Sequence, residues 1–505
     1  MPIAASARPR GWRGIALQAA TLAWLLAVVA IAPVAGAATT PAQVQDMVDA
    51  GDFKAAEAAI SEALADATLA PDARRAYAFQ RERMRRILLD FTLDEAAVRE
   101  RVRRQVPDLT DAEFAKWNRE GLFEHMAIDG RTLYFNRSPS NLFRLSEEAR
   151  ARRDPKLAPI TDGPMEALNV HQRAIRDAAL AQHRSSVLPL RLRMTQSLTV
   201  DADAVPAGKL VRAWIPYPQA IPGHQEDVRF VASVPSAHWI APESAPQRTV
   251  YMEKTAQRGQ PTAFSVTYEL TILGQYHAVD PDKVVAPEIT AELAPYVAQR
   301  PPHVVFTDAM RAFSRKVVGD EKNPYRIAQK LFAAVDGIPW AGAREYSTIS
   351  NISDYALHAG HADCGQQTLL LITLLRMNGI PARWQSGMVF SDGDYSNIHD
   401  WGQVYLAPYG WVPMDVTTGR LAADKGNGDD PAMEWFYFGG LDNWRIAFNQ
   451  DWGTAFEPPK KQFRSDDVDN QRGEAEWDGG NLYFDQLDYD FQWQLLPAGQ
   501  GSAQG

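Results

Sequence analysis

One cysteine, Cys364, stands in a chain of 505 residues, and the residues around it suit nucleophilic chemistry. Asp363 is a good helix N-cap, and Gln366 three residues on completes a capping box. The run from Thr368 to Asn378 is mainly apolar, stops at Gly379 and is followed by Pro381, the punctuation of a helix end. These signals predict that Cys364 sits in the first turn of a helix. Free backbone N–H groups and the positive end of the helix dipole then favour its thiolate, the nucleophilic form. Gly365 is expected to leave room for a substrate. A cysteine nucleophile also needs a base, and that base needs an orienting group. His399 precedes a strand-like segment, Gly402 to Ala407. Tyr409-Gly410 reads as a turn, and the next strand runs from Trp411 to Asp415. Such a hairpin brings His399 and Asp415 close enough for an imidazole–carboxylate hydrogen bond, which fixes the tautomer and stabilises the imidazolium.

Four landmarks follow one another in order: Cys364 at a helix start, Gly379-Ile380-Pro381-Ala382-Arg383, His399-Asp400-Trp401, and Gly410-Trp411-Val412-Pro413-Met414-Asp415. Together they resemble the transglutaminase-like superfamily over about Pro324 to Gly419. The resemblance implies a papain-like core with Cys364 as nucleophile, His399 as base and Asp415 as orienter. Upstream, Val211-Arg212-Ala213-Trp214-Ile215-Pro216-Tyr217-Pro218 resembles the sandwich domain that precedes many bacterial members. One departure is Asp400, where many members carry an aromatic residue directly after the histidine; here the aromatic comes one position later, as Trp401.

An acyl-transfer site also needs donors for an oxyanion. The backbone N–H of Cys364 is the first expected donor, and Trp340 and Tyr355 are side-chain candidates by position. Other readings compete. His358, His361 and Cys364 are spaced by three and are acceptable zinc ligands, but no fourth ligand is evident and coordination would consume the nucleophile. Asp392, Asp394, Asp466, Asp467 and Asp469 show no calcium-loop register and read as solvated acidic loops. No metal or cofactor is expected. Arg383 reads as a salt-bridged core residue.

The elements that must position this site are legible as periodicity. Residues 38–185 read as mostly helical; Phe53, Ala56, Ala59, Ile60 and Leu64 recur at helical spacing, and Asp129-Gly130 marks a hairpin turn. The arginine-rich stretch from Arg74 to Arg86 reads as a solvated helix face. Over residues 186–280 the period becomes two. Predicted strands begin at Leu190, Lys209, Asp227, Thr249 and Ala263, which suggests an antiparallel β-sandwich. Helices are expected from Thr307 to Val318 and from Pro324 to Val335, within a catalytic core spanning residues 300–425. Residues 426–505 are aromatic-rich and are expected to pack on that core. The fold class is therefore α+β.

Composition narrows the function. Hydrophobic residues make up 46% and charged residues 23%, an ordinary globular balance. The formal charge is −10, and residues 1–37 hold Arg8, Arg10 and Arg13 with no acid, so the remainder is more acidic still. An acidic body argues against nucleic acid as a partner. A lone cysteine excludes an internal disulfide. The leader has a basic start, an apolar run from Ile15 to Ile31 and a small-residue cleavage pattern at Ala35-Gly36-Ala37. It predicts Sec-type export to the periplasm or beyond, with no membrane span after cleavage. The expectation is an exported cysteine-dependent amide hydrolase or acyltransferase that forms a thioester with peptide or protein amides, cell-wall peptide being one accessible source. The alternative is a non-catalytic binding or assembly module of the cell envelope.

Overall fold

The computed structural model describes residues 39–160, 170–420 and 431–497. The predicted leader lies outside the described residues. Among the described residues, no helix is long and apolar enough to cross a membrane.

The N-terminal region is helical, as its periodicity predicts. It comprises α1 (Pro41–Ala50), α2 (Phe53–Ala65), α3 (Pro71–Asp90), α4 (Glu95–Arg103) and α5 (Asp111–Arg119), the hairpin β1 (His125–Ile128) and β2 (Arg131–Tyr134), then α6 (Ser138–Leu145) and α7 (Glu147–Ala151). Thr40 and Thr110 close capping boxes on α1 and α5, each satisfying backbone N–H groups that a helix start leaves open. Val44, Ile60, Ile87 and Phe135 share one apolar cluster; Val98, Trp117 and Phe143 belong to a second. Arg83 and Arg86 on α3 do not lie on a solvated face. Arg86 is fully buried and donates to the carbonyls of Arg464 and Ser465, while Arg83 donates to Thr348 O and pairs with Asp49. These arginines clamp the helical region to distant loops, which their one-dimensional spacing does not reveal.

Helix α8 (Val170–Gln182) leads into the sandwich: β3 (Ser186–Val200), β4 (Leu210–Pro216), β5 (Gln225–Val234), β6 (His238–Ile240), β7 (Thr249–Thr255) and β8 (Thr262–Tyr276). The catalytic segment follows, with α9 (Asp308–Val318), α10 (Pro324–Asp336), α11 (Ile352–His358), α12 (Cys364–Met377), β9 (Ala382–Phe390), β10 (Ser396–Leu406) and β11 (Gly410–Met414). The tail supplies β12 (Gly440–Leu441), β13 (Arg445–Asn449), β14 (Glu474–Trp477), β15 (Gly480–Leu482) and β16 (Leu487–Leu495).

The catalytic sheet has the order β11-β10-β9-β13 and is antiparallel throughout. Helix α12 packs on β9 and β10. Leu370, Leu374, Trp384, Val404 and Met414 form the core between them. Such a helix on one antiparallel sheet, beside a sandwich, is an α+β arrangement.

The tail departs from the expectation. Trp452 and Val468 do enter the catalytic core. However, β14 pairs with β4, β15 extends that sheet, and β16 pairs with β3 along its whole length. The tail thus completes both sandwich sheets instead of only covering the core. β14 and β15 are too short to announce this, whereas β16 does alternate, Leu487, Tyr489, Phe491, Trp493 and Leu495 against Asp488, Asp490, Gln492 and Gln494, a period-two signal hidden within the aromatic reading of the tail. Met388 and Phe390 of β9 join the sandwich cluster as well, so the two cores meet through one strand.

Candidate active site

Helix α12 starts as its sequence predicts. Asp363 is the N-cap, its side chain accepts from Gln366 N at 3.1 Å, and the Gln366 side chain accepts from Asp363 N in return. Cys364 is therefore the first helical residue and is partly exposed. It lines a cavity of about 310 Å³. Trp340, Tyr346, Asp400 and Arg472 line it too, as do Arg137 from the helical region and Tyr489 from the last strand.

The other expected pair forms across the β10–β11 edge. His399 Nε2 donates to Asp415 Oδ2 at 2.8 Å. Asp415 is fully buried and also accepts from Thr418 N and Oγ1 and from Arg445 Nη1 at 2.9 Å. Burial opposes its ionisation, but His399 and Arg445 outweigh that and hold the carboxyl below the usual range. A carboxylate can only accept, so Nε2 carries the proton and Nδ1 of a neutral His399 keeps its lone pair. Nδ1 makes no hydrogen bond among the described residues. Arg445 is itself fully buried between Asp415 and Asp442 and lies against Trp401.

Cys364 is engaged elsewhere. Its Sγ donates to Asp400 Oδ2 at 3.2 Å, and no hydrogen bond joins it to His399. Tyr346 Oη lies 2.9 Å from Asp363 Oδ1 and 3.1 Å from Asp400 Oδ2, and it accepts from Gly365 N at 3.0 Å. Gln471 Nε2 donates to Asp400 Oδ1 at 2.9 Å. Burial, and then the charge of Asp363, pushes the Asp400 carboxyl up to about 7. Burial likewise raises Asp363 to about 6. Burial and these two carboxyls push the Cys364 thiol well above its ordinary range. This reverses the expectation from the helix start. A helix N-terminus is worth about half a charge, whereas each ionised carboxyl beside the sulfur is a whole one.

Gly365 also differs from expectation. The space beside it is taken: an added Cβ would sit 2.1 Å from Tyr346 Oη and 2.7 Å from Asp400 Oδ2. Here glycine permits a close approach within the protein.

The oxyanion candidates separate. Trp340 lines the cavity, its ring under the Arg144 guanidinium at 4.4 Å, and its segment bridges to Ala362. Tyr355 is not in this cavity; its hydroxyl donates to Glu124 Oε1 at 2.8 Å and it lines a separate space. The residues of the zinc alternative are engaged separately: the Nδ1 atoms of His358 and His361 meet the carbonyls of Asp354 and Ala359. Among the described residues, no group of three or more His, Cys, Asp or Glu is arranged to hold a metal ion. Asp469 is not solvated but buried, with Asp466 and Asp467 beside it partly so. Arg383 donates to Gln403 and lies over Trp411, with no salt bridge among the described residues. Sequence reasoning missed Tyr346, Gln471 and Arg472, which come from irregular segments remote in the chain.

The fold and site define a class: an α+β protein with a helix-borne cysteine beside a sheet that carries a histidine–aspartate pair. Residues 311–416 match the family model described as the transglutaminase-like superfamily, so this segment is similar to that family. Among solved structures, the chain is similar to one described as a candidate cysteine protease from Cytophaga hutchinsonii. Identity is 15%, over 62% of this chain and 93% of that one, with a TM-score of 0.41. It is also similar to the periplasmic domain of TgpA from Pseudomonas aeruginosa, at 13% identity over 50% of this chain and 96% of that one, with a TM-score of 0.24. A comparison with curated proteins gives no match.

Proposed function

We propose that the protein is an exported cysteine-dependent amide hydrolase or acyltransferase, acting through Cys364, His399 and Asp415. The observation that carries this reading is the orientation of His399. Asp415 holds Nε2, which leaves Nδ1 as the basic nitrogen that would receive the thiol proton once Sγ leaves Asp400.

In this reading His399 Nδ1 takes the thiol proton as Sγ bonds to an amide carbonyl carbon. The tetrahedral oxyanion is met by the Cys364 backbone N–H, with the Trp340 indole as second donor. Collapse breaks the C–N bond, and the imidazolium gives its proton to the departing amine. A thioester remains. Water, deprotonated by His399, attacks it and releases a carboxylic acid and the thiol; an amine in place of water gives transfer. Export rests on the leader pattern of residues 1–37, and peptide or protein amides, including wall peptide, are the amides met outside the cytoplasm.

One observation favours the non-catalytic module: the thiol at rest is protonated and enclosed by carboxyls. Mass spectrometry distinguishes the two. The mature protein is incubated with wall peptides and protein substrates and then acid-quenched. The catalytic reading expects an acyl adduct on Cys364 that His399→Ala does not form. Turnover of none of these amides by a folded protein, with no adduct, would overturn it in favour of the module.

A further inference from the structure

Asp400 makes the one side-chain hydrogen bond to the Cys364 sulfur among the described residues. Asp400 and His399 are neighbours on β10, and alternation along a strand sends them to opposite faces. His399 reaches Asp415, and Asp400 reaches Cys364. Asp400 is buried and its surroundings are rich in acid. Asp363 and Tyr346 face it from the helix-start side, Gln471 and Asp469 from the tail, and Cys364 from α12. Asp400 and Asp469 are both buried, burial and then the Asp400 charge push the Asp469 carboxyl up, and Asp469 Oδ2 has no hydrogen-bond partner among the described residues. The charge of Asp469 in turn helps to push the Asp466 carboxyl up, after burial. Two carboxylates buried side by side repel, which favours one proton held between them. The same holds at Tyr346, whose single hydroxyl proton cannot serve both Asp363 and Asp400.

We propose that Asp400 is a positioning residue: it parks the Cys364 thiol as a hydrogen-bond donor in the resting state, and the proton it shares with Asp469 sets how readily that thiol ionises. With the shared proton on Asp400, the carboxyl is neutral and the thiolate is tolerated. With the proton lost, or localised on Asp469, the Asp400 carboxylate repels a thiolate and holds the thiol proton on sulfur. An acyl donor entering the cavity must draw Sγ from Asp400 before His399 receives the proton. No atom is gained or lost at rest; a proton moves among two carboxyls and a sulfur. The proposal deepens the catalytic reading of this site, but its test needs no substrate.

The experiment is the rate of iodoacetamide alkylation of the folded mature protein against pH, on wild type, Asp400→Asn and Asp469→Asn. The neutral amide of Asp400→Asn removes the repelling charge, so the alkylation midpoint falls and labelling at pH 7 rises at least about tenfold, one decade per unit of thiol shift. Asp469→Asn moves it the other way: the amide donates to Asp400, the carboxylate is secured, and labelling at pH 7 slows. Asp400→Glu restores the wild-type direction. Loss of packing would expose the sulfur in both Asn variants and move both midpoints toward that of a free thiol. An unchanged midpoint in Asp400→Asn, or equal-signed shifts in the two Asn variants, would overturn the proposal. If Asp400→Asn does not fold, the slowing in Asp469→Asn decides alone. The outcome is separable from the catalytic reading, because opposite shifts can occur in a protein that forms no acyl adduct.

Discussion

Asp415 Oδ2 is shared between His399 Nε2 at 2.8 Å and Arg445 Nη1 at 2.9 Å, so one buried carboxylate oxygen ties the imidazole to a fully buried guanidinium. The tautomer of His399 and the stability of the sheet edge therefore depend on the same oxygen.

Asp415→Asn keeps the shape and removes the charge. The amide can present its N–H to the imidazole, which reverses the tautomer and places the proton on Nδ1. The expected loss in acyl-adduct formation is about 10³-fold or more. Imidazole ¹⁵N shifts would report the changed tautomer independently.

Arg445→Met leaves Asp415 and Asp442 buried without their shared cation. Removing one partner from a buried ion pair costs about 3–5 kcal/mol. Urea unfolding should show that loss, and Arg445→Lys should recover only part of it.

Asp90 predicts an unusual pH dependence. It is buried at the end of α3, beside Glu345, and burial followed by that neighbour's charge raises its carboxyl to about 7. A carboxyl raised on folding contributes stability that is complete below about pH 4 and is lost as pH rises through about 7. The Asp400 carboxyl, also raised by burial, acts in the same direction. Asp415 works oppositely: its lowered carboxyl stabilises above about pH 4 and is lost on further acidification. Thermal midpoints should therefore fall between about pH 4 and 7. In Asp90→Asn, which still accepts from Glu345 N, that fall should shrink, with a gain of about 1–3 kcal/mol at pH 8.

Gly365→Ala drives a methyl into the Tyr346 hydroxyl and the Asp400 carboxyl. Alanine suits a helix, so a stabilised protein would be expected if the space were open. The contact predicts the reverse, a loss of roughly 1–3 kcal/mol from overpacking, read by denaturant titration.

Local signals carried far in this chain. Asp363, Gln366 and Gly379 marked α12 to within a residue, because capping and termination are decided by near neighbours. Alternation placed β3, β4, β7 and β8, and Asp129-Gly130 placed the β1–β2 turn. The His399–Asp415 contact followed from hairpin register. What stayed hidden was set by tertiary placement. Arg86 and a solvated arginine look alike in sequence until Ser465 arrives beside it. Tyr346 and Gln471 converge on Asp400 from opposite sides of the chain, with no spacing rule connecting them. The raised thiol of Cys364 followed from that convergence, against the local argument from the helix start.

The return of the tail to the sandwich bears on the order of events during synthesis. β3 and β4 find their edge partners only in β16 and β14, and the whole catalytic segment lies between them in the chain. While α9 to β11 emerge, one edge of each sandwich sheet stays open, and an unpaired edge invites pairing with other chains. Closure waits for Leu495 and rests on contacts of very large sequence separation, the kind that slow folding most. The sandwich is thus the last part of the molecule to become complete, and aggregation competes with folding in that interval.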